Sequence, residues 1–271
     1  FWESARHIRS LRPNVVLGLG GYVAFPGGMM ASLWNRPLAL HEQNAIPGLA
    51  NKVLAQVSDK VMAGFPQALK NAEWTGNPVR AEIAAIASPE ARFQGRQGPL
   101  RILVVGGSLG AQALNESVPK ALALMSARPH VVHQAGEKHL DALRKHYADA
   151  GVQGELVAFI DDMARRYAEA DLVICRAGAV TIAELSAGGM ASILVPFPHA
   201  VDDHQTANGK FLADHGAAIL IQQRDLTPQT LAQTIQRLDR SRLLDMARKA
   251  RALGKPDAAR VVAERCMSIA R

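Results

Sequence analysis

Two stretches of this chain share the same order of features: a short apolar run, a glycine-containing turn and the beginning of a helix. The first is Arg101–Gly110 (RILVVGGSLG) and the second is Leu172–Glu184 (LVICRAGAVTIAE). An apolar run that leads into a helix is typical of a buried strand in a parallel α/β sheet. The N–H groups at such a helix N-terminus lack intrahelical partners and can bind an anion. The pair therefore predicts a site for a nucleotide diphosphate.

Composition limits the class of protein. The chain has 271 residues, of which 48% are hydrophobic and 20% charged, as expected of a globular protein large enough for two domains. It contains no uninterrupted apolar stretch of about 18 residues, so we expect no transmembrane helix. Cys175 and Cys266 are too few for a disulfide framework and favour buried thiols in a reducing compartment.

The chain is basic, with 31 Lys+Arg against 24 Asp+Glu and a formal charge of +7. This excess of positive charge is typical of proteins that bind nucleic acid, an anionic membrane surface or an anionic substrate. It is equally consistent with a basic surface that is simply solvated. The basic residues are scattered along helices such as Arg242–Arg251, without the interleaved aromatic residues of single-strand binders. We therefore expect no nucleic acid partner.

Strand-like and helix-like segments alternate along the chain, which predicts parallel α/β layers in two domains. The helix Phe1–Arg12 leads directly into a buried strand, so the first domain is expected to lack its first strands. Six strands with intervening helices predict a complete doubly wound second domain. The predicted boundaries are 1–82 for the first domain, 83–99 for a linker, 100–244 for the second domain and 245–271 for C-terminal helices, the last of which packs back on the first domain.

The glycine turn at residues 106–110 matches neither the dinucleotide fingerprint G-x-G-x-x-G nor a P-loop, which argues against an NAD enzyme and an NTPase. Ser108 could donate its hydroxyl to a ligand there, or the segment is an ordinary tight turn.

Thr181 and Glu184 have two interpretations. They form a capping box, or Thr181 faces a phosphate while Glu184 accepts both hydroxyls of a ribose.

Four other polar groups could be functional or structural, and the first two have open interpretations. The loop His41–Asn44 is a catalytic patch or a hydrogen-bonded turn, and Arg80 clamps a phosphate or is a surface cation. The residues around His199–His204 match no familiar metal-ligand spacing and are expected to cap the next helix, as is Asp161-Asp162. We therefore expect no metal ion.

Several motifs taken together resemble a known family. They are GGYVAFPG, HEQNAIPGLANK, GNPVR, ILVVGGSLGAQALN, FIDDM, CRAGAVTIAE and VPFPHAVDDHQTAN. In this order and spacing they are similar to the MurG family, the N-acetylglucosaminyltransferases of glycosyltransferase family 28 that act in bacterial peptidoglycan synthesis. The resemblance runs from about Val15 to the C-terminus and is highly specific as a set.

The resemblance implies an α/β protein of the GT-B type, with two Rossmann-like doubly wound domains, the first one incomplete. It implies that the C-terminal domain holds most of the donor, UDP-GlcNAc, with Glu184 on the ribose, the backbone of Ile160 on uracil and Gln205 on the sugar. The implied donor-contacting residues are Asn44, Arg80, Ser108, Ile160, Ala179, Val180, Thr181, Ile182, Ala183, Glu184 and Gln205.

The implied reaction is inverting transfer of GlcNAc to the C4 hydroxyl of undecaprenyl-pyrophosphoryl-MurNAc-pentapeptide, without metal or cofactor, at the cytoplasmic face of the inner membrane. The implied partners are UDP-GlcNAc, that lipid-linked acceptor and the anionic membrane surface. The family's GGTGGH motif, whose His is a candidate base, does not occur in this sequence, so we expect a chain without the first part of the acceptor domain and assign no catalytic residue. The alternatives are a UDP-GlcNAc 2-epimerase of similar architecture and an inactive UDP-sugar-binding fragment.

Overall fold

The computed structural model describes residues 1–107 and 111–271. Backbone contacts divide the chain into two compact units, each with its own parallel sheet. Unit 1 comprises Phe1–Val79 and Lys255–Arg271, and unit 2 comprises Arg80–Gly254. Within the described ranges, no helix has the length and apolar character needed to cross a membrane.

The elements follow the alternation expected from the sequence. In chain order they are α1 (Trp2–Leu11), β1 (Val16–Gly18), α2 (Ala24–Leu33), β2 (Leu38–Glu42), α3 (Leu49–Leu54), β3 (Lys60–Ala63), β4 (Glu73–Trp74), α4 (Ala81–Ala84), α5 (Pro89–Phe93), β5 (Arg101–Val105), α6 (Gln112–Ala123), β6 (His130–Gln134), α7 (Leu140–Asp149), β7 (Glu155–Val157), α8 (Met163–Glu169), β8 (Leu172–Cys175), α9 (Ala179–Gly188), β9 (Ser192–Leu194), α10 (His204–Ala213), β10 (Ala218–Leu220), α11 (Pro228–Gln236), α12 (Arg240–Leu253) and α13 (Ala258–Ile269).

Unit 1 is built on a sheet with strand order β1-β2-β3-β4. All five residues of β2 are buried, and successive side chains point to opposite faces of the sheet. Leu38 and Leu40 join the cluster that covers one face with residues of α1, α2 and α3. Ala39 packs on the other face with Val262 and Cys266 of α13. The C-terminal helix is thus part of the core of unit 1.

Unit 2 carries a six-stranded parallel sheet with the order β10-β9-β8-β5-β6-β7. The runs that form β5 and β8 are almost entirely buried, as helices on both faces require. The chain passes from β5 outward through β6 to β7. It then returns to the other side of β5 with β8, β9 and β10. This is the doubly wound arrangement.

The residues predicted as a linker, 83–99, lie in unit 2 and include α5. Ser88 caps this helix, because its Oγ accepts a hydrogen bond from Ala91 N–H at 3.3 Å, and Pro89 occupies the first turn. Ser followed by Pro is a common helix start. The Gly- and Gln-rich residues that follow led the sequence interpretation to treat the whole stretch as irregular.

A buried histidine lies at the centre of unit 2. The Nε2–H of His133 donates to Asn115 Oδ1 at 3.1 Å, and the hydroxyl of Tyr147 donates to His133 Nδ1 at 3.1 Å. A neutral ring with the proton on Nε2 satisfies both contacts. Burial lowers the pKa of His133 from 6.5 to about 3.

Because the folded protein keeps His133 neutral while the unfolded chain protonates it, the stability contribution is complete above pH 6.5 and is lost as the pH falls towards 3. Between pH 7.5 and 5.5 we expect the wild type to lose about 1 kcal/mol more unfolding free energy than His133→Gln. Urea unfolding at the two pH values measures this. His130→Gln, at an exposed position of the same strand, should behave as wild type, and equal losses in all three proteins would contradict the assignment.

Candidate functional site

The two glycine turns that stood out in the sequence leave adjacent strands of unit 2. β5 and β8 pair in parallel, with Val105 opposite Cys175 at their carboxyl ends. The strand order reverses between these two strands, and in doubly wound sheets ligands bind in the crevice outside such a reversal. Gly107 in the first turn has φ +82°, and among the described residues other than its chain neighbours no atom lies within 4 Å of where a Cβ would stand. The backbone is therefore open to close approach by a ligand.

Helix α9 begins directly after the second turn. Gly178 is its N-cap residue, and a glycine has no side chain with which to cap the helix. The first helical hydrogen bond runs from Ile182 N–H to Gly178 O at 2.9 Å. The helix thus starts at Ala179, two residues before Thr181, where the sequence analysis began it. The capping-box interpretation is wrong, because it needs Thr181 at the N-cap.

Glu184 lies in the second turn of α9 and has two hydrogen-bond partners, Arg80 at the N-cap of α4 and Tyr167 in α8. Arg80 Nη2 donates to Oε1 at 3.3 Å, and the Tyr167 hydroxyl donates to Oε2 at 3.2 Å. The Glu184 side chain is 12% exposed and that of Arg80 47% exposed. The carboxylate is thus largely sheltered but reachable from the side on which Arg80 stands.

The hydroxyl of Tyr167 and the thiol of Cys175, both near Glu184, stay protonated at physiological pH. Burial and the neighbouring Glu184 carboxylate raise the pKa of Tyr167 well above its ordinary value. The same two causes, burial first, raise the pKa of the Cys175 thiol to about 12. Neither group can therefore serve as a base or nucleophile in this site. Both remain uncharged next to the Glu184 carboxylate.

The C-terminal end of α9 is anchored by two arginines. Arg92 of α5 is buried, and its guanidinium donates to the carbonyl oxygens of Gly188, at 3.3 Å, and Gly189. Arg251 of α12 donates to Ala187 O. Cations at this end satisfy the last carbonyl groups and complement the helix dipole. The opposite end of the helix, which faces the crevice, is thereby held in place.

Gln205 of α10 hydrogen-bonds to two loops at the carboxyl edge of the sheet. Its Oε1 accepts from Phe197 N–H, after β9, at 2.9 Å and from Ala177 N–H, after β8, at 3.3 Å. Gln205 therefore helps to shape the turn before α9. Its expected contact with a sugar stays a prediction.

The other predicted contacts of unit 2 lie around the same helices. Ala179, Val180 and Thr181 form the first turn of α9, and Ile182 and Ala183 the next. Ile160 is buried in the connection from β7 to α8. Ser108 lies outside the described residues.

Unit 1 places the HEQN motif at the end of β2. His41 and Glu42 are buried strand residues, which corrects the expectation of a loop from His41. His41 Nε2–H donates to Gly76 O at 2.9 Å, and burial lowers the pKa of His41. The Glu42 carboxylate accepts from Asn44 N–H at 2.8 Å and from Asn51 Nδ2 at 2.7 Å. Asn44 is thus held by the carboxylate beside it, whereas Arg80 belongs to unit 2.

The acidic groups that invited a metal hypothesis have helix-terminal roles. Asp162 is the N-cap of α8 and accepts from Arg165 N–H at 3.0 Å, as predicted. Asp203 is the N-cap residue of α10 and accepts from the Thr206 hydroxyl at 2.7 Å. In the part of the chain that the structure describes, no three His, Cys, Asp or Glu side chains group to hold a metal ion.

Sequence reasoning missed Tyr167 and Arg92, which hold Glu184 and its helix. Tyr167 precedes an apolar strand in a helix rich in charge, where an aromatic residue indicates packing only. Arg92 fell within the expected linker. Neither local pattern indicates the distant partner.

We expect Gln205→Ala to destabilise the fold by about 1–2 kcal/mol, because two backbone N–H groups lose their acceptor. Gln205→Glu keeps an acceptor oxygen and should lose less than half of that. Urea unfolding of both variants provides the comparison. Equal destabilisation of the two would show that the bridge to Phe197 and Ala177 does not stabilise the loops.

Comparisons with known proteins agree along the whole chain. Residues 101–262 match the glycosyltransferase family 28 C-terminal domain and residues 1–63 the N-terminal domain. A UDP-N-acetylglucosamine--N-acetylmuramyl-(pentapeptide) pyrophosphoryl-undecaprenol N-acetylglucosamine transferase from Cupriavidus necator is 63% identical over 273 residues, which cover 100% of this chain and 77% of the relative. The transferase of the same name from Aromatoleum aromaticum is 64% identical over 272 residues, covering 100% and 76%.

Solved structures give the same result. The crystal structure of Acinetobacter baumannii MurG superposes with a TM-score of 0.91 at 41% identity, covering 98% of this chain and 77% of that one. A UDP-GlcNAc 2-epimerase from Neisseria meningitidis reaches a TM-score of 0.67 at 13% identity over 97% of this chain and 78% of its own, which shows a shared fold alone. The chain has the GT-B fold and belongs to glycosyltransferase family 28, in its MurG branch.

Proposed function

We propose that this protein transfers GlcNAc from UDP-GlcNAc to the C4 hydroxyl of undecaprenyl-pyrophosphoryl-MurNAc-pentapeptide, with inversion at the anomeric carbon. The observation that carries the proposal is the position of Glu184, a sheltered carboxylate one turn inside the helix that begins at the reversal between β5 and β8. A diphosphate at the helix N-terminus and a ribose at the carboxylate are the two adjacent parts of a nucleotide sugar.

The diphosphate and the ribose of the donor each have a matching group in unit 2. The first turn of α9 presents the positive end of the helix dipole to the diphosphate, equivalent to about half an elementary charge. The Glu184 carboxylate accepts the ribose hydroxyls. Arg80 stands beside it, half exposed, and can contact a phosphate as the donor enters.

The same groups assist the chemical step. Negative charge grows on the departing diphosphate as the acceptor hydroxyl attacks the anomeric carbon. A preorganised helix N-terminus and Arg80 stabilise that charge where it develops. A base accepts the proton of the C4 hydroxyl. Gln205 is the residue that we assign to the sugar of the donor.

One preparation tests the activity directly. UDP-GlcNAc affinity is measured by calorimetry and GlcNAc transfer with the lipid-linked acceptor, each with and without a chelator. We expect binding, transfer to the acceptor and no effect of the chelator. Consumption of UDP-GlcNAc without acceptor would indicate an epimerase, binding without transfer would indicate a UDP-sugar-binding chain, and loss with the chelator would indicate a metal site.

The ribose assignment predicts the effect of one substitution. Glu184→Ala should weaken UDP-GlcNAc binding by about 1–3 kcal/mol, because a charged hydrogen-bond acceptor is lost. Glu82→Ala is the matched control: Glu82 also faces Arg80, at 3.8 Å, but its side chain is 57% exposed. Calorimetric titration of both variants makes the comparison, and unchanged affinity in Glu184→Ala would remove Glu184 from the donor site.

We further propose that the protein attaches peripherally to the anionic cytoplasmic face of the inner membrane through α1 and Trp34. Trp2, Arg6 and Arg9 of α1 line a groove with Trp34, and the two tryptophans are 85% and 40% exposed. Aromatic side chains favour the membrane interface, and each nearby arginine contributes about 1 kcal/mol on an anionic surface. Such attachment would bring the protein to a lipid-linked acceptor.

Replacing Arg6 and Arg9 together by Gln should reduce binding to vesicles containing anionic lipid by roughly 30-fold at low salt, the effect of about 2 kcal/mol. Vesicle co-sedimentation measures it. Arg144→Gln with Lys145→Gln removes an equal charge from exposed positions of α7 and should change binding little. A similar loss in both double variants would indicate a general charge effect and not a membrane face on α1.

A further inference from the structure

Tyr167 is the buried partner of the candidate ribose-binding carboxylate. Its side chain is 1% exposed, and its hydroxyl donates to Glu184 Oε2 at 3.2 Å. It comes from α8 and contacts a different carboxylate oxygen of Glu184 from the one that Arg80 contacts. The function proposed above gives this hydroxyl no part, although a buried hydroxyl aimed at a functional carboxylate directly affects how that carboxylate can bind.

The Glu184 carboxylate retains acceptor capacity beyond these contacts. Two carboxylate oxygens offer about four lone-pair positions. Tyr167 uses one on Oε2 and Arg80 one on Oε1. Two positions therefore suffice for the adjacent hydroxyls of a ribose, provided that the plane of the carboxylate is fixed towards them.

The orientation of that plane is not fixed by the Glu side chain itself. Its last torsion, between sp³ and sp² carbons, is broad and roughly two-fold. Arg80 is a weak restraint, because its side chain is 47% exposed and exposed ion pairs contribute little. The Tyr167 ring is locked in the core, so its hydroxyl is the rigid restraint.

We propose that Tyr167 is a positioning residue that sets the Glu184 carboxylate for a ribose 2′,3′-diol and thereby makes the site selective for ribonucleotides over 2′-deoxyribonucleotides. This inference rests on the proposed function, since it needs the nucleotide to bind at Glu184. Tyr167 keeps its proton throughout the accessible pH range, because burial and Glu184 raise its pKa. It therefore always donates and never competes with the ribose as an acceptor.

The test compares Tyr167→Phe with Tyr147→Phe in the full chain. Both variants remove one hydroxyl from a buried tyrosine of unit 2, and Tyr147 hydrogen-bonds to His133 instead of Glu184. Each protein is titrated with UDP and with 2′-deoxy-UDP. We expect Tyr167→Phe to weaken UDP binding about five- to tenfold, the effect of one hydrogen bond, and 2′-deoxy-UDP binding much less. Its preference for UDP should fall, whereas Tyr147→Phe should keep the wild-type preference.

A double-mutant cycle identifies the route of the effect. If Tyr167 acts through Glu184, Tyr167→Phe should cause no further loss of UDP affinity in a Glu184→Ala background, where the acceptor of its hydroxyl is gone. Additive losses would overturn the positioning role.

The remaining outcomes separate the two proposals. Wild-type protein that binds UDP, with an unchanged preference in Tyr167→Phe, would overturn the role of Tyr167 alone. Failure of the wild type to bind UDP would overturn the proposed function and this inference with it. Unfolding of Tyr167→Phe, in contrast to Tyr147→Phe, would make the hydroxyl a stability element and also overturn the positioning role.

Discussion

The parallel pairing of β5 with β8 is the constraint on which the site of unit 2 depends. These strands are distant in sequence, and their register brings Val105 opposite Cys175. Both glycine turns therefore leave the sheet at the same edge, where the strand order reverses. A shift of register would move one turn along the sheet by at least the rise of one residue, about 3.3 Å, and would invert which side chains of that strand face the helices. The near-complete burial of both strands opposes such a shift, because either face of the sheet is covered.

Helix α9 supplies the candidate ligand-binding groups at that edge of the sheet. Its two ends have different hydrogen-bond partners. Buried Arg92 and partly buried Arg251 satisfy the carbonyl groups at the C-terminal end. The N-terminal end has a glycine as its N-cap, and a glycine has no side chain with which to cap the helix. Packing and the two arginines at the C-terminal end therefore hold the helix, and its N-terminal turn keeps a fixed position at the edge of the sheet.

The sequence predicted the regular parts of this structure because they depend on local patterns. The apolar runs that begin the stretches Arg101–Gly110 and Leu172–Glu184 form strands, as predicted, since short apolar runs before glycine turns have few alternatives. The start of α9 was predicted wrongly because Thr181 and Glu184 have capping-box spacing, while the extended conformation of Gly178 leaves no such signal. The contacts of Arg92 and Tyr167 were not predictable, because their partners lie 96 and 17 residues away in the chain. No local pattern encodes a partner at such a distance.

The HEQN motif shows why a run of polar residues was misread as a loop. His41 and Glu42 are buried in β2, which is costly for polar groups unless each finds a partner. Both find partners within unit 1: the ring of His41 donates to Gly76 O, and the Glu42 carboxylate accepts from Asn44 and Asn51. Glu42 holds Asn44 in unit 1 as Tyr167 holds Glu184 in unit 2. In each case a buried polar side chain fixes a residue that follows a parallel strand at its carboxyl end. In both units a residue expected to contact substrate is held by a buried polar residue, and the hydrogen bonds of that buried residue offset the cost of burying it.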